Sequence, residues 1–218
     1  VSFVTEDWRW RMVTPAKGDY ASVPINNEGR RVADTWDPAK DEKEGNACKA
    51  YGVGGLMRVP GRLHITWQDE NNLKIETDAG TQTRLLHFGD VPAPAGERGW
   101  QGYSVATWEI AGTGGRGGGG GGGAAGGAAP AGPRYGSLKV VTKNMKAGYL
   151  RKNGVPYSEN AVVTEYFDRH NEPNGDQWFT VTTTVEETKY LNLPFITSTD
   201  FKKEADGAKW RPTPCAAQ

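Results

Sequence analysis

Between Ala111 and Gly136 the chain reads AGTGGRGGGGGGGAAGGAAPAGPRYG, where only Thr113, Arg116, Pro130, Pro133, Arg134 and Tyr135 carry more than a methyl group. Glycine loses the most backbone entropy on ordering, and this stretch brings almost no apolar area to offset the loss. It therefore cannot build a core of its own, and in isolation it is a flexible segment. Such a ribbon is ordered only where a second surface immobilises it. Gly114, Gly117, Gly120, Gly123 and Gly127 are the positions expected to let its backbone approach a neighbouring copy closely.

Set beside that ribbon, the remainder of the 218 residues is enough for a single domain spanning 1–218, with residues 111–136 as an insert within it. Lys and Arg number 26 and so do Asp and Glu. A balanced charge gives no long-range steering toward nucleic acid or an anionic membrane. No apolar run reaches the length of a membrane span. Residue 1 opens into VSFVTEDWRWRM with neither a starting Met nor a signal peptide, as expected of a processed or trimmed chain. The two cysteines, Cys48 and Cys215, are expected to form a disulfide that ties down the tail WRPTPCAAQ, and a disulfide points to a secreted or periplasmic setting.

Period-two alternation dominates the body. In RLHITWQ, Leu63, Ile65 and Trp67 share one face and His64, Thr66 and Gln68 the other; LKIETD and TQTRLLHF continue a three-stranded meander to Phe88. AVVTEYFDR and QWFTVTTTVE flank the turn residues Pro173, Asn174 and Gly175, a long hairpin. GYSVATWEI and SLKVVT flank the Gly-rich insert, which then replaces a hairpin tip and forms an arm. FITSTDF and the N-terminal segment add further strands. One short helix is expected, capped by Asn26 and stopped at Asp37-Pro38. The fold expected is all-β: an antiparallel barrel, lipocalin-like in general architecture, or a sandwich, with eight to ten strands. A closed or nearly closed barrel is preferred because it removes exposed edges.

The order CKAYGVGGLMRVPGRLHITWQ, LKIETDAGTQTRLLHF, WQGYSVATWEI, GSLKVVT, NGVPYSENAVVTEYFDR and VEETKYLNLPF resembles a family of uncharacterised secreted bacterial proteins, from about Cys48 to Cys215. Trp100, Gly102, Ser104, Trp108 and Glu109 match the family's Trp-x-Gly-x-Ser and Trp-Glu positions, and the arm occupies the turn that follows them. Thr164, Glu165, Tyr166 and Arg169 correspond to its Thr-Glu-Arg-x-x-Arg pattern, with Tyr166 in place of one basic residue. The resemblance implies export and a shared β-rich fold, and it brings no catalytic residue to transfer.

The polar and aromatic constellations suggest binding more than catalysis. Trp8 and Trp10 alternate with Arg9 and Arg11, so one face of that strand either closes a barrel end by packing, with solvated arginines behind, or stacks on a planar or sugar ligand. His64, Trp67, His87 and Tyr103 complete the candidate lining. His64 and His87 lie on separate strands of the meander, where Glu76 and Arg84 can approach them. No spacing supports a metal site there, and DRHNEPNGD is read as a hairpin tip before a calcium loop. There is no nucleophile elbow, and the glycine run lacks the Gly-Lys-Ser/Thr ending of a phosphate loop, so no cofactor is expected.

Three functions follow. The first is an extracellular, non-enzymatic structural protein that self-associates, as a homo-oligomer or filament, through the arm. The second is a secreted barrel that binds a small apolar, aromatic or glycan ligand. The third is a hydrolase, lyase or isomerase using His64, His87 or Glu165.

Overall fold

In the computed structural model, strand pairing is carried by segments whose side chains alternate between two environments. The structure describes residues 2–3, 15–89, 92, 96, 98–110 and 136–217. Trp8, Trp10, Gly114, Gly117, Gly120, Gly123 and Gly127 lie outside them. Strand β1 (Ser2–Phe3) is followed in chain order by β2 (Leu63–Asp69), β3 (Asn72–Thr77), β4 (Thr83–Phe88), β5 (Tyr103–Ile110) and β6 (Gly136–Lys143). Then come β7 (Gly148–Tyr149), β8 (Pro156–Tyr157), β9 (Val162–Asn171), β10 (Gln177–Glu186) and β11 (Phe195–Lys202).

Nine strands form one sheet in the order β1-β11-β10-β9-β6-β5-β4-β3-β2, curled into a half-barrel, and β7 pairs with β8 in a small second sheet. The all-β expectation holds. The choice left open between barrel and sandwich falls to a single curled sheet, because the second sheet is too small to form an opposing layer. Among the described residues no ladder joins β2 to the other edge of the sheet.

The meander and the long hairpin take the registers that their alternation implies: Ile65 stands opposite Ile75, and Val181 opposite Phe167. In the β3–β4 turn the backbone is left-handed at Gly80, at φ +76°, and a Cβ there would sit 2.2 Å from the Tyr51 ring, so only glycine fits. One ladder departs from the antiparallel expectation: β4 and β5 run parallel, with Leu86 opposite Ser104. The connection 89–102 is long enough for the crossover that parallel pairing needs. β5 and β6 pair antiparallel along their whole length, ending with Ile110 opposite Gly136. The insert therefore interrupts the connection of a hairpin.

Helical content exceeds the one helix expected. Helix α1 (Asn27–Asp34) begins as read, with the Asn26 side chain accepting from the Gly29 amide. Asp37-Pro38, read as a stop, also starts α2 (Pro38–Lys43): Asp37 accepts from the amides of Ala39 and Lys40, and Pro38 occupies a first-turn position where its missing N–H costs nothing. A 3-10 turn (Ala47–Tyr51) and α3 (Val53–Leu56) follow. Among the described helices none is long and apolar enough to cross a membrane.

Burial divides into two clusters. At the helical end, Val53, Met145, Leu150, Tyr157, Val163 and Val185 pack together; inside the curl, Leu63, Ile75, Leu86, Val140, Val181 and Phe201 do so. Between them lies a polar layer on the inner face. Arg84 of β4 reaches across Ser104 of β5 and Thr142 of β6 to Glu165 of β9, with Nη1 donating to Oε1 at 3.1 Å and Nη2 to Oε2 at 2.6 Å. Both side chains of the pair are sealed from solvent. Two charges survive there because the fork geometry and the two hydroxyls satisfy most of their hydrogen-bonding capacity.

Candidate ligand cleft

A cleft of about 510 Å³ lies along the seam of the half-barrel. One wall is the start of β2, with Leu63, His64 and Ile65; the other is the segment after β11, with Lys203, Asp206 and Trp210. The first wall is fixed by the sheet. The second has no regular structure, so its position depends on tethers.

Those tethers converge on Cys215 and Asp78. Cys48 and Cys215 form the disulfide expected from the sequence, closing a separation of 167 residues with the Cα atoms 5.1 Å apart. The Thr213 amide donates to the Asp78 carbonyl at 2.8 Å, and Thr81 Oγ1 donates to the Thr213 carbonyl at 2.9 Å. The buried Asp78 carboxylate accepts from the Arg62 amide at 2.7 Å and the Arg211 amide at 3.4 Å. One carboxylate thus ties the beginning of β2 to the opposing wall. Within that wall, Lys209 pairs with Glu204 at 2.9 Å and the Trp210 amide donates to the Gly207 carbonyl.

The Trp210 and His64 rings meet in a T-shaped arrangement, ring centroids 6.0 Å apart. His64 Nδ1 lies 3.4 Å from Glu76, which also pairs with Lys74 at 3.1 Å. A second hollow of about 280 Å³ continues the seam and shares Ile65 and Lys203 with the first. Arg169, Gln177 and Phe179 close it. Lys203 is held there twice by Gln177: its amide donates to the Gln177 carbonyl at 2.8 Å and its Nζ to Gln177 Oε1 at 3.1 Å.

The sequence candidates scatter around this site. His64 lines the cleft. Trp67, on the same strand, stands at the open rim beside Phe88, with ring centroids 5.2 Å apart; Phe88 continues to Trp108 at 5.9 Å. His87 and Tyr103 stack on each other at 4.5 Å, away from the cleft. His87 Nδ1–H donates to Asn72, and burial holds its imidazole below the usual histidine pKa, opposed by the nearby Asp69 carboxylate. The expected gathering of both histidines with Glu76 and Arg84 does not form. His64 stands opposite Glu76 and His87 opposite Asn72, four positions apart along β3, while Arg84 points inward. Glu165, considered as an acid or base, is consumed by Arg84 in the interior.

At the hairpin tip read as a turn, Asn174 accepts from the Asp176 amide, and Lys202 pairs with Asp176 at 2.6 Å. Among the described residues no group of three or more His, Cys, Asp or Glu side chains is placed to hold a metal ion. Trp210, Lys203 and Arg169 were not singled out as ligand contacts. For Trp210 a signal existed: it lies five positions before Cys215, so a disulfide that anchors the tail also anchors the indole. Compared with known proteins, the chain matches no family model, no curated protein and no solved structure.

Proposed function

We propose that this protein is an extracytoplasmic β-domain that binds a small ligand with a flat apolar or sugar face in the seam cleft. The observation that carries this reading is the covalently anchored wall: Trp210 stands across from His64 and Ile65 over about 510 Å³, within the size range of small-molecule sites. An indole supplies a broad apolar face, and the polar groups around it can orient hydroxyls. The disulfide and the resemblance to secreted bacterial proteins support the compartment.

Titration calorimetry against a panel of oligosaccharides and aromatic acids tests the reading. Trp210→Ala is expected to weaken the best binder at least tenfold while the melting temperature stays within about 2 °C of the parent, a surface-sized change. Undiminished affinity in that variant would remove the cleft from consideration.

A second reading, self-association through the arm, is favoured by the place of the insert: Ile110 opposite Gly136 puts a ribbon poor in side chains at the end of the β5–β6 ladder. Light scattering on the full chain and on a deletion of residues 114–132 separates the cases. Loss of the oligomer in the deletion supports the arm; equal masses eliminate it.

A further inference from the structure

We infer that the ligand of the seam is acidic, a carboxylate-bearing oligosaccharide whose charged group sits between Arg169 and Lys203 while a sugar ring lies against Trp210. The inference rests on the cleft reading and deepens it.

Its basis is the partnering of cations along the seam. Arg62 is matched by Asp78, Lys209 by Glu204 and Lys202 by Asp176. Arg169 differs: it is exposed, and among the described residues its side chain has no ion pair and no hydrogen bond. On the neighbouring strand β10 it faces Phe179, which has no charge to offer. Among the described residues the Lys203 ammonium meets only the neutral side-chain oxygen of Gln177. The acids of the seam line the first hollow and not the one that holds Arg169: Glu204 is paired with Lys209, and Asp206 accepts from the Ala208 amide.

Two cations without an acidic partner among the described residues therefore line one hollow, in a chain whose total charge is zero. An anion between them gains what neither finds among the described residues, and a guanidinium fork matches a carboxylate with two parallel donors. The two hollows together present apolar Ile65 and Phe179 and polar Gln177 and Asp206, a mixture that suits a saccharide, which shows both kinds of surface. The shared residues Ile65 and Lys203 let one chain of sugars occupy both hollows.

The probes are α-1,4-linked trigalacturonate and the neutral trigalactoside of the same linkage, titrated by calorimetry at low and at high sodium chloride. The acid is expected to bind at least tenfold tighter than the neutral sugar at low salt, with most of that preference lost at high salt. Arg169→Ala combined with Lys203→Ala is expected to bring the two probes to equal affinity; Trp210→Ala is expected to weaken both by a similar factor. Equal binding of both probes to the parent overturns the acidic assignment and leaves the cleft reading standing. A preference that survives the double substitution overturns the placement of the acid. Failure of both probes to bind overturns this ligand class and removes its support for the cleft.

Discussion

Two arginines on the inner face of the same sheet have opposite fates. Arg84 is closed off from water, its fork matched by Glu165 and flanked by Ser104 and Thr142. Arg169 stands on β9 four positions beyond Glu165, on the same face, yet it opens onto the seam hollow without a side-chain partner among the described residues. A charge in the interior is tolerated only when the fold supplies its counterion, so Arg84 is structural. A charge at the open end is solvated in the free protein and can exchange water for a ligand, so Arg169 is available.

The widest test of this contrast removes the internal counterion. Glu165→Ala leaves a buried guanidinium unpaired and is expected to cost about 3–5 kcal/mol in urea unfolding, whereas a double Arg84→Met, Glu165→Leu variant regains most of that loss. A small effect of the single variant would mean that water reaches the pair and that interior and seam are not distinct environments.

The next effect concerns how the seam is held. The inner face is organised by packing and ladders, the outer wall of the cleft by a covalent bond and a few hydrogen bonds. Replacing Cys48 and Cys215 with Ser is expected to lower stability by about 2–4 kcal/mol, below the ~5 kcal/mol that loop-closure entropy allows for so long a loop. Hydrogen exchange sharpens the result: protection is expected to fall in residues 203–217 more than in β9 and β10. Uniform loss across the sheet would show that the tail is integrated with the core.

The smallest effect is at Arg169 itself. Arg169→Ala is expected to change stability by less than about 0.5 kcal/mol, as for other exposed residues without a partner. A cost comparable to that of Glu165→Ala would make Arg169 structural and would end the contrast.

Much of the sheet was legible because burial on one face imposes alternation. Leu63, Ile65 and Trp67 against His64 and Thr66 placed β2, and Pro173, Asn174 and Gly175 placed the turn of the β9–β10 hairpin. The second helix was missed because Asp and Pro act in both directions: they end one segment and cap the next. The parallel ladder between β4 and β5 was missed because periodicity reports which face is buried and carries no information about which strand lies alongside. Trp67 was read correctly as sharing the inner face, but nothing local revealed that it would stand at the rim, 54% exposed.

By itself, then, the sequence determined the class of fold, the inner and outer faces of its strands, the cap of the first helix and the cysteine pair, since each follows from neighbours along the chain. Tertiary structure alone decided that Arg84 would meet Glu165 across two intervening strands, that Trp210 would be carried back to the start of β2, and that Arg169 would be left at an open seam. These outcomes depend on strand order and on the curl of the sheet, which join residues far apart in the chain and leave no periodic trace within it.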